Sequence, residues 1–507
     1  MQTCILYLLR FVAVVTPQQS TAFLEGGAKR LLIAGSWEPA SSGRVATSVN
    51  PATGEVIAEV ADGDGVDVDR AVRAARAAFE GPWRRVTPAE RSRLIERLAG
   101  LVEAHVEELA LIDTLDMGAP LSRARGAVLA GLARLRWNGS QAMTIRGETP
   151  QNSLPGHFLT YTLKEPVGVV AAIIPWNSPV ASTLWKLGPV LASGCTVILK
   201  PAEEAPLTPL RLAELCLEAG VPEGVVNVVT GPGEVVGAAL AAHAGVDKVA
   251  FTGSFTTAQH IIRASAGNLK RLSLELGGKS PNIVFADADL DVAVPGAANA
   301  VFSNSGQICS AGTRLFVQGG IYDEFVERVS QTSQTLHVGN GLDPATDIGP
   351  LVSQAQLDRV VGYLETGQRE GARAASGGTR LTDPEHASGY YVQPTVFRDV
   401  TDGMAIARDE IFGPVLAALP FESIDEVARR ANGIPVGLAA GVWTRDGGKA
   451  HRLAQELRAG TVWLNCYQVM DPAMPFGGYS TSGYGREGGI QHLEEYLEVK
   501  SVYAKLD

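Results

Sequence analysis

The stretch Val167-Gly168-Val169-Val170-Ala171-Ala172-Ile173-Ile174-Pro175, followed by Trp176-Asn177, decides the architecture. It carries no charged or hydroxyl side chain before Trp176, so it reads as a strand buried on both faces rather than one with a wet side. Three more runs repeat the pattern, Thr196–Leu199, Val225–Val229 and Val249–Thr252, with helix-length segments between them. Buried strands alternating with crossover helices predict an α/β fold around a parallel sheet. Ligands of such sheets gather beyond the carboxyl ends of the strands. Here those ends are Trp176-Asn177, Lys200-Pro201-Ala202-Glu203, Gly231-Pro232-Gly233 and Gly253-Ser254, and the expectation is that they converge on one site.

Working outward, a second α/β block follows, with apolar runs at Asn282–Ala286, Thr313–Val317 and Val415–Phe421 and helices over Tyr322–Thr335 and Ile424–Ala431. Upstream, small and apolar residues from Val68 to Phe79 recur at helical spacing. A second helix opens on Thr87-Pro88-Ala89-Glu90, a capping box with proline at its first position. Its stripe of Leu94, Leu98, Leu101, Val102, Val106 and Leu109 reads as scaffold. Leu493 to Tyr503 alternates as a strand does. The apolar run Cys4–Val15, broken by Arg10, is shorter than the roughly 20 residues that cross a bilayer. No positive side chain precedes it as a secretory signal requires, so the folded chain is taken to begin near Phe23.

Composition bounds the function. At roughly 150 residues per domain the length implies two to four domains, and 46% hydrophobic with 19% charged residues describes a folded globular chain rather than a disordered one. The 507-residue chain has 43 Lys and Arg against 54 Asp and Glu, a net charge of −11, and no basic run. That excludes nucleic acid and anionic membrane as main partners and leaves small molecules. Cys4, Cys195, Cys216, Cys309 and Cys466 never pair as C-x-x-C, which points to a reducing, cytoplasmic location. The eight histidines show no ligand spacing, so no catalytic metal is expected.

Few residues have settings that suit chemistry. Cys309 lies in the small, polar, glycine-flanked stretch Ser305-Gly306-Gln307-Ile308-Cys309-Ser310-Ala311-Gly312-Thr313, whereas Cys195, Cys216 and Cys466 sit among large apolar residues as buried hydrophobes do. A thiol titrating near 8.5 is only a few per cent thiolate at neutrality, so a helix N-terminus or a dry cofactor pocket has to activate it. An incidental loop thiol is the plain alternative. Glu275 stands in the apolar run Leu274-Glu275-Leu276 before Gly277-Gly278-Lys279; such a setting suits a general base, and an ion pair with Lys279 is the alternative. Lys200 and Glu203 have the spacing to bracket a ribose diol or to form a solvated ion pair. Gly231-Pro232-Gly233 to Gly237 is one residue too long for a dinucleotide fingerprint, and an ordinary strand-to-helix turn fits it equally; its helix could still offer amides to a pyrophosphate.

Taken together, Pro175-Trp176-Asn177, Lys200 to Glu203, Phe251 to Ser254, Glu275 to Lys279, Gly306 to Cys309, Glu410-Ile411-Phe412-Gly413-Pro414 and Pro475-Phe476-Gly477-Gly478 resemble the NAD(P)-dependent aldehyde dehydrogenase family in order and spacing, from about Leu31 to about Tyr503. The resemblance implies a Rossmann-type cofactor domain over 25–140 and 165–275 and a catalytic domain over 276–485. It also implies a small β extension for oligomerisation over 141–164 and 486–507, after an N-terminal extension over 1–24. It implies Cys309 as nucleophile, Glu275 as base for water, Asn177 with the Cys309 N–H as oxyanion donors, and Lys186 supporting the polar network around Asn177.

For the cofactor, it implies Lys200 and Glu203 at the adenosine ribose and Gly233, Gly253 and Ser254 near the pyrophosphate. Glu410 and Phe412 would meet the nicotinamide end, with Ile174, Pro175, Trp176, Phe251 and Leu276 completing the cradle. A carboxylate at the 2′-hydroxyl repels a 2′-phosphate, so Glu203 favours NAD over NADP. The implied substrate tunnel is lined by Ser178, Ser182, Trp185, Ile308, Ser310, Gln468, Met470 and Phe476, mainly apolar and roomy enough for medium or bulky aliphatic or aromatic aldehydes. Phe255 and Ala258 depart from the family's usual threonine and glycine after Ser254 and leave the pyrophosphate contacts in doubt. The implied assembly is a homodimer or homotetramer. The competing readings are a CoA-acylating relative, a thiol esterase, and a non-catalytic ligand-binding protein of the same fold.

Overall fold

The computed structural model describes residues 22–507, so the run Cys4–Val15 and nearly all of the 1–24 extension lie outside the described residues. Each decisive apolar run forms a strand: Val169–Ile173, Thr196–Lys200, Val226–Val228 and Lys248–Gly253. With Arg271–Leu276 they make the parallel heart of an eight-stranded sheet. Strand Val169–Ile173 pairs with Thr196–Lys200 on one side and with Lys248–Gly253 on the other. The direction of winding therefore reverses there, and the crevice opened at such a switch point is where α/β sheets hold ligands. Antiparallel strands Leu31–Ile33 and Ser36–Glu38 finish one edge.

The second block is a seven-stranded sheet. Its central strands Thr395–Arg398, Val415–Phe421, Arg314–Gln318, Pro281–Val284, Ala439–Trp443 and Thr461–Leu464 are all parallel, with Arg373–Ser376 antiparallel at one edge. The chain crosses from the first sheet to the second within Gly277–Ser280, which puts the end of the Glu275 strand against the start of the second sheet. The segment 276–485 is not confined to that second sheet. Gly483–Tyr484 returns to the first sheet and pairs with Leu274 and Glu275 as its last strand.

The helix after Thr87 spans Pro88–Ala104, and its capping box is closed: the Glu90 carboxylate accepts from the Thr87 N–H at 2.7 Å and the Thr87 hydroxyl accepts from the Glu90 N–H at 3.4 Å. Helix Leu121–Gln141 packs on helix Pro179–Ser193, where Gly131 lies so near Leu184 that a Cβ would approach it to 2.7 Å. Phe158–Pro166 and Leu497–Lys505 form a nine-residue antiparallel ribbon. That last strand starts at Leu497 rather than near Leu493, because Gly489–Glu494 is helical and buries Leu493. Leu159, Leu163, Val499 and Tyr503 of the ribbon are exposed. No described helix is long and apolar enough to cross a membrane.

Candidate active site

Cys309 reaches the crevice through an unusual turn. Helix Leu290–Phe302 ends, and Asn304, Ser305 and Gly306 then take left-handed backbone angles, φ 54°, 56° and 71°. At Gly306 a Cβ would sit 2.0 Å from the Gly413 carbonyl, so only glycine fits this reversal. Asn177 arrives from the turn after strand Val169–Ile173. Its Nδ2 donates to the Gln307 carbonyl at 2.9 Å, and the Asn304 Nδ2 donates to the Asn177 carbonyl at 3.0 Å. The two loops are thus tied together, with one Asn177 Nδ2 hydrogen left over and the Cys309 N–H free of any protein acceptor among the described residues. Burial, aided by Glu410 and Glu275, pushes the thiol up to about 12. A dry pocket was expected to activate Cys309; by itself it does the reverse, because desolvation and nearby carboxylates both disfavour the thiolate.

Glu275 ends its strand inside the same crevice, 4% exposed, and neither carboxylate oxygen has a partner. Burial and then Glu487 raise its pKa well above the usual carboxylate value. The alternative ion pair with Lys279 does not form: the Lys279 ammonium also lacks a partner, and burial pushes it down to about 7. Gly477 leaves room for the carboxylate, since a Cβ there would lie 2.7 Å from Glu275 Oε1. Lys186 supports a different group from the one expected. Its Nζ donates to the Glu487 carboxylate and, at 3.1 Å, to the Thr252 hydroxyl, with no bond to Asn177. Burial pushes Glu487 up, but Lys186 and His492 outweigh it and hold its pKa below the usual value.

A cavity of about 490 Å³ opens from Cys309, Asn177, Glu275 and Glu487. Ser178, Ser182, Trp185, Ile308, Ser310, Gln468, Met470 and Phe476 all line it, with the Trp185 and Phe476 rings 6.3 Å apart. Its remaining wall is one face of helix Leu121–Gln141, which sequence reasoning passed over: Arg123, Ala127, Ala130 and Arg134 face inward at spacings of four, three and four. That helical spacing of small residues bracketed by arginines was the available signal. Glu487 was also missed, because Gly485-Arg486-Glu487-Gly488 reads as an exposed charged turn.

The remaining candidate residues lie at the carboxyl ends of the first sheet's strands and in the Glu410–Phe412 loop. Lys200 Nζ and Glu203 Oε2 are 3.1 Å apart, the ion pair allowed for as an alternative, yet the Gly233 N–H also donates to Glu203 at 3.2 Å. A buried lysine and a half-exposed carboxylate beside a bare glycine backbone offer a diol one donor and one acceptor. The turn after Pro232 does not open directly into an α-helix: Gly233–Gly237 is a wide π turn that leads into Ala238–Ala242. Ser254 caps helix Phe255–Ala264, accepting from the Thr257 N–H at 3.1 Å, and Phe251 lies directly under Gly253. Ile174 donates its N–H to the Lys200 carbonyl at 3.0 Å, which joins the two strand ends before Pro175. Towards Cys309, Trp176 and Phe412 meet edge to face at 5.2 Å. Glu410 accepts from the Gly278 N–H at 3.1 Å, burial raises it to about 7, and Leu276 closes the base. A lysine–carboxylate pair, a capped helix N-terminus and an aromatic pair beside a buried carboxylate are groups of the kinds that hold the sugar, pyrophosphate and ring of a dinucleotide.

The aldehyde dehydrogenase family model matches residues 37–502. Mitochondrial aldehyde dehydrogenase of Homo sapiens is 49% identical over 97% of this chain and 95% of its own. The NAD+ complex of an aldehyde dehydrogenase from Bacillus cereus superposes with a TM-score of 0.94 at 47% identity, over 97% of this chain and 99% of its own. Betaine aldehyde dehydrogenase of Staphylococcus aureus, in complex with NAD+, gives 0.95 at 37% identity over 97% of each chain. The chain belongs to the aldehyde dehydrogenase family and is an oxidoreductase of the aldehyde group.

Proposed function

We propose that this protein uses NAD to oxidise a medium or bulky aliphatic or aromatic aldehyde to its carboxylic acid through a cysteine thioester. The observation that carries this is the unpartnered Glu275 carboxylate in the same cavity as Cys309 and Asn177. A buried carboxylate without partners is costly and of no structural use, so it answers to a proton that arrives with the reaction.

Cys309 gives up its thiol proton to water, and the Sγ then forms a bond to the aldehyde carbon as the carbonyl π pair moves onto oxygen. The oxyanion that results accepts from the free Asn177 amide hydrogen and the Cys309 N–H, a donor of this kind being worth about 2.7–4 kcal/mol in the transition state. NAD, when bound along Lys200, Glu203, Ser254 and Glu410, supplies the hydride acceptor, and its positive ring offers a counter-charge to the carboxylates around the thiol. Glu275 takes a proton from the water that attacks the thioester, which frees the acid and restores Cys309. Glu275 therefore favours acid release over transfer to CoA. Glu203 at the ribose favours NAD over NADP through its charge.

We further take the Phe158–Pro166 and Leu497–Lys505 ribbon, with its exposed apolar residues, as the seat of a homodimer or homotetramer, because an isolated two-stranded ribbon is marginal in water. Free Cys195, Cys216, Cys309 and Cys466 support a reducing compartment such as the cytoplasm. The test is NADH formation by purified protein with short and bulky aldehydes, alongside Cys309→Ala. Turnover with the wild type and a loss of at least about 10⁴-fold in the variant is expected; folded wild type that binds NAD yet reduces none of it with any aldehyde would refute the proposal.

A further inference from the structure

Helix Leu121–Gln141 carries four arginines of two kinds. Arg125 pairs with Glu107, and Arg136 pairs with Glu96 and Glu103, all on the outer side of the helix. Arg123 and Arg134, three turns apart on the inner face, line the cavity and pair with no carboxylate within 4 Å among the described residues. Arg134 is 8% exposed. Its guanidinium lies over the Trp185 ring, 3.7 Å from the centroid, and donates only to the Met470 sulfur at 3.2 Å, while its Nε is sealed and without a partner among the described residues. The Arg123 guanidinium has no hydrogen-bond partner among the described residues.

A guanidinium has five donors, and burying one without an oxygen acceptor costs free energy unless something else provides that acceptor. Asp471 and Glu487 lie near enough to Arg134 to favour its charge but not to bond it. Contact with the Trp185 ring restrains the side chain, and a restrained guanidinium is suited to bind a carboxylate through two parallel bonds. The cavity thus carries two cations without carboxylate partners along the helix wall, while near Cys309 the Glu487 carboxylate is paired with Lys186 and the pKa of Glu275 is raised.

We propose that Arg134, assisted by Arg123, selects aldehydes that carry a carboxylate at the end remote from the aldehyde group. This rests on the dehydrogenase reading and narrows its substrate class from any bulky aldehyde to the oxo acids among them. The arginines hold the remote carboxylate on the helix wall, so such a substrate enters with its aldehyde carbon towards Cys309.

The experiment compares kcat/KM, read as NADH formation, for 6-oxohexanoate against hexanal and for 4-carboxybenzaldehyde against 4-methylbenzaldehyde. The expected result is at least a tenfold preference for the acid in one pair, a loss of most of that preference in Arg134→Met through KM, partial retention in Arg134→Lys, and a smaller loss in Arg123→Met. The ratio of two substrates on one enzyme is insensitive to how much of a variant folds. No preference in the wild type, or a preference untouched in Arg134→Met, would overturn the inference and leave the dehydrogenase reading standing. Absence of NADH from these and all other aldehydes would overturn that reading too.

Discussion

Two carboxylates that line one cavity are buried in opposite ways. Glu275, from the end of a central strand, has no hydrogen-bond partner, and burial drives its pKa well up. Glu487, from the glycine-flanked turn after Tyr484, is gripped by Lys186, and that ammonium together with His492 holds its pKa down against burial. Both are under 5% exposed, so depth does not distinguish them. The partner does: a paired buried carboxylate acts as structure, whereas an unpaired one is left available for chemistry.

The sharpest way to break the contrast is to make Glu487 resemble Glu275. Lys186→Met removes the ammonium and leaves a buried charge alone, which costs about 3–5 kcal/mol. Denaturant unfolding should give that loss, and the double variant Lys186→Met with Glu487→Gln should recover much of it, since the pair is then replaced by neutral groups. Equal loss in the single and double variants would mean that Lys186 acts through packing and not through Glu487.

The second prediction runs the other way. Glu275→Gln replaces an unpartnered buried carboxyl with a raised pKa by a neutral amide of the same volume, so stability should hold in mild acid and rise relative to wild type at alkaline pH, while turnover falls by about 10²–10⁴-fold. The first turnover should survive as a burst of NADH near one per site, because Glu275 is assigned to the hydrolysis of the thioester and not to its formation. A variant slowed equally in burst and steady state would move Glu275 to the earlier step.

The framework of this contrast was readable in the sequence. Val415–Phe421, Tyr322–Thr335 and Ile424–Ala431 form at their expected bounds, because continuous apolar runs and 3.6-residue stripes are local signals. Cys309, Asn177 and Glu275 meet at one cavity because they stand at chain reversals next to strand ends, and such ends converge in a wound sheet. What escaped was long-range. Nothing local in Gly483-Tyr484 announces that it pairs with the Glu275 strand, nor in Glu487 that Lys186, some 300 residues earlier, will reach it. Arg123 and Arg134 look the same in sequence as Arg125 and Arg136 on the same helix; only packing against Pro179–Ser193 decides which pair faces inward. Lys186, expected to support the polar network around Asn177, bonds directly to Glu487 and Thr252, since a long flexible side chain has several polar groups within reach and takes the charged one.

The smallest effect is the sign of the pH dependence. Glu275 has a raised pKa in the folded state, so its folded form binds a proton that the unfolded chain has given up. Its share of stability is full below the unfolded carboxylate value and is lost as pH rises through the folded one. Glu487 has a depressed pKa, so its share is present above the unfolded value and is lost as pH falls through the folded one. Asp113, raised by burial to about 8, and Asp116, raised to about 7, slope the same way as Glu275, while His492, lowered by burial to about 3, opposes them in acid. Difference curves of Tm against pH cancel these common terms. Wild type minus Glu275→Gln should fall from mildly acidic to alkaline pH, and wild type minus Glu487→Gln should fall only towards acid. Two difference curves of the same sign would mean that Glu275 finds a counter-ion in solution, and the distinction between a structural and an available carboxylate would then rest on the burst experiment alone.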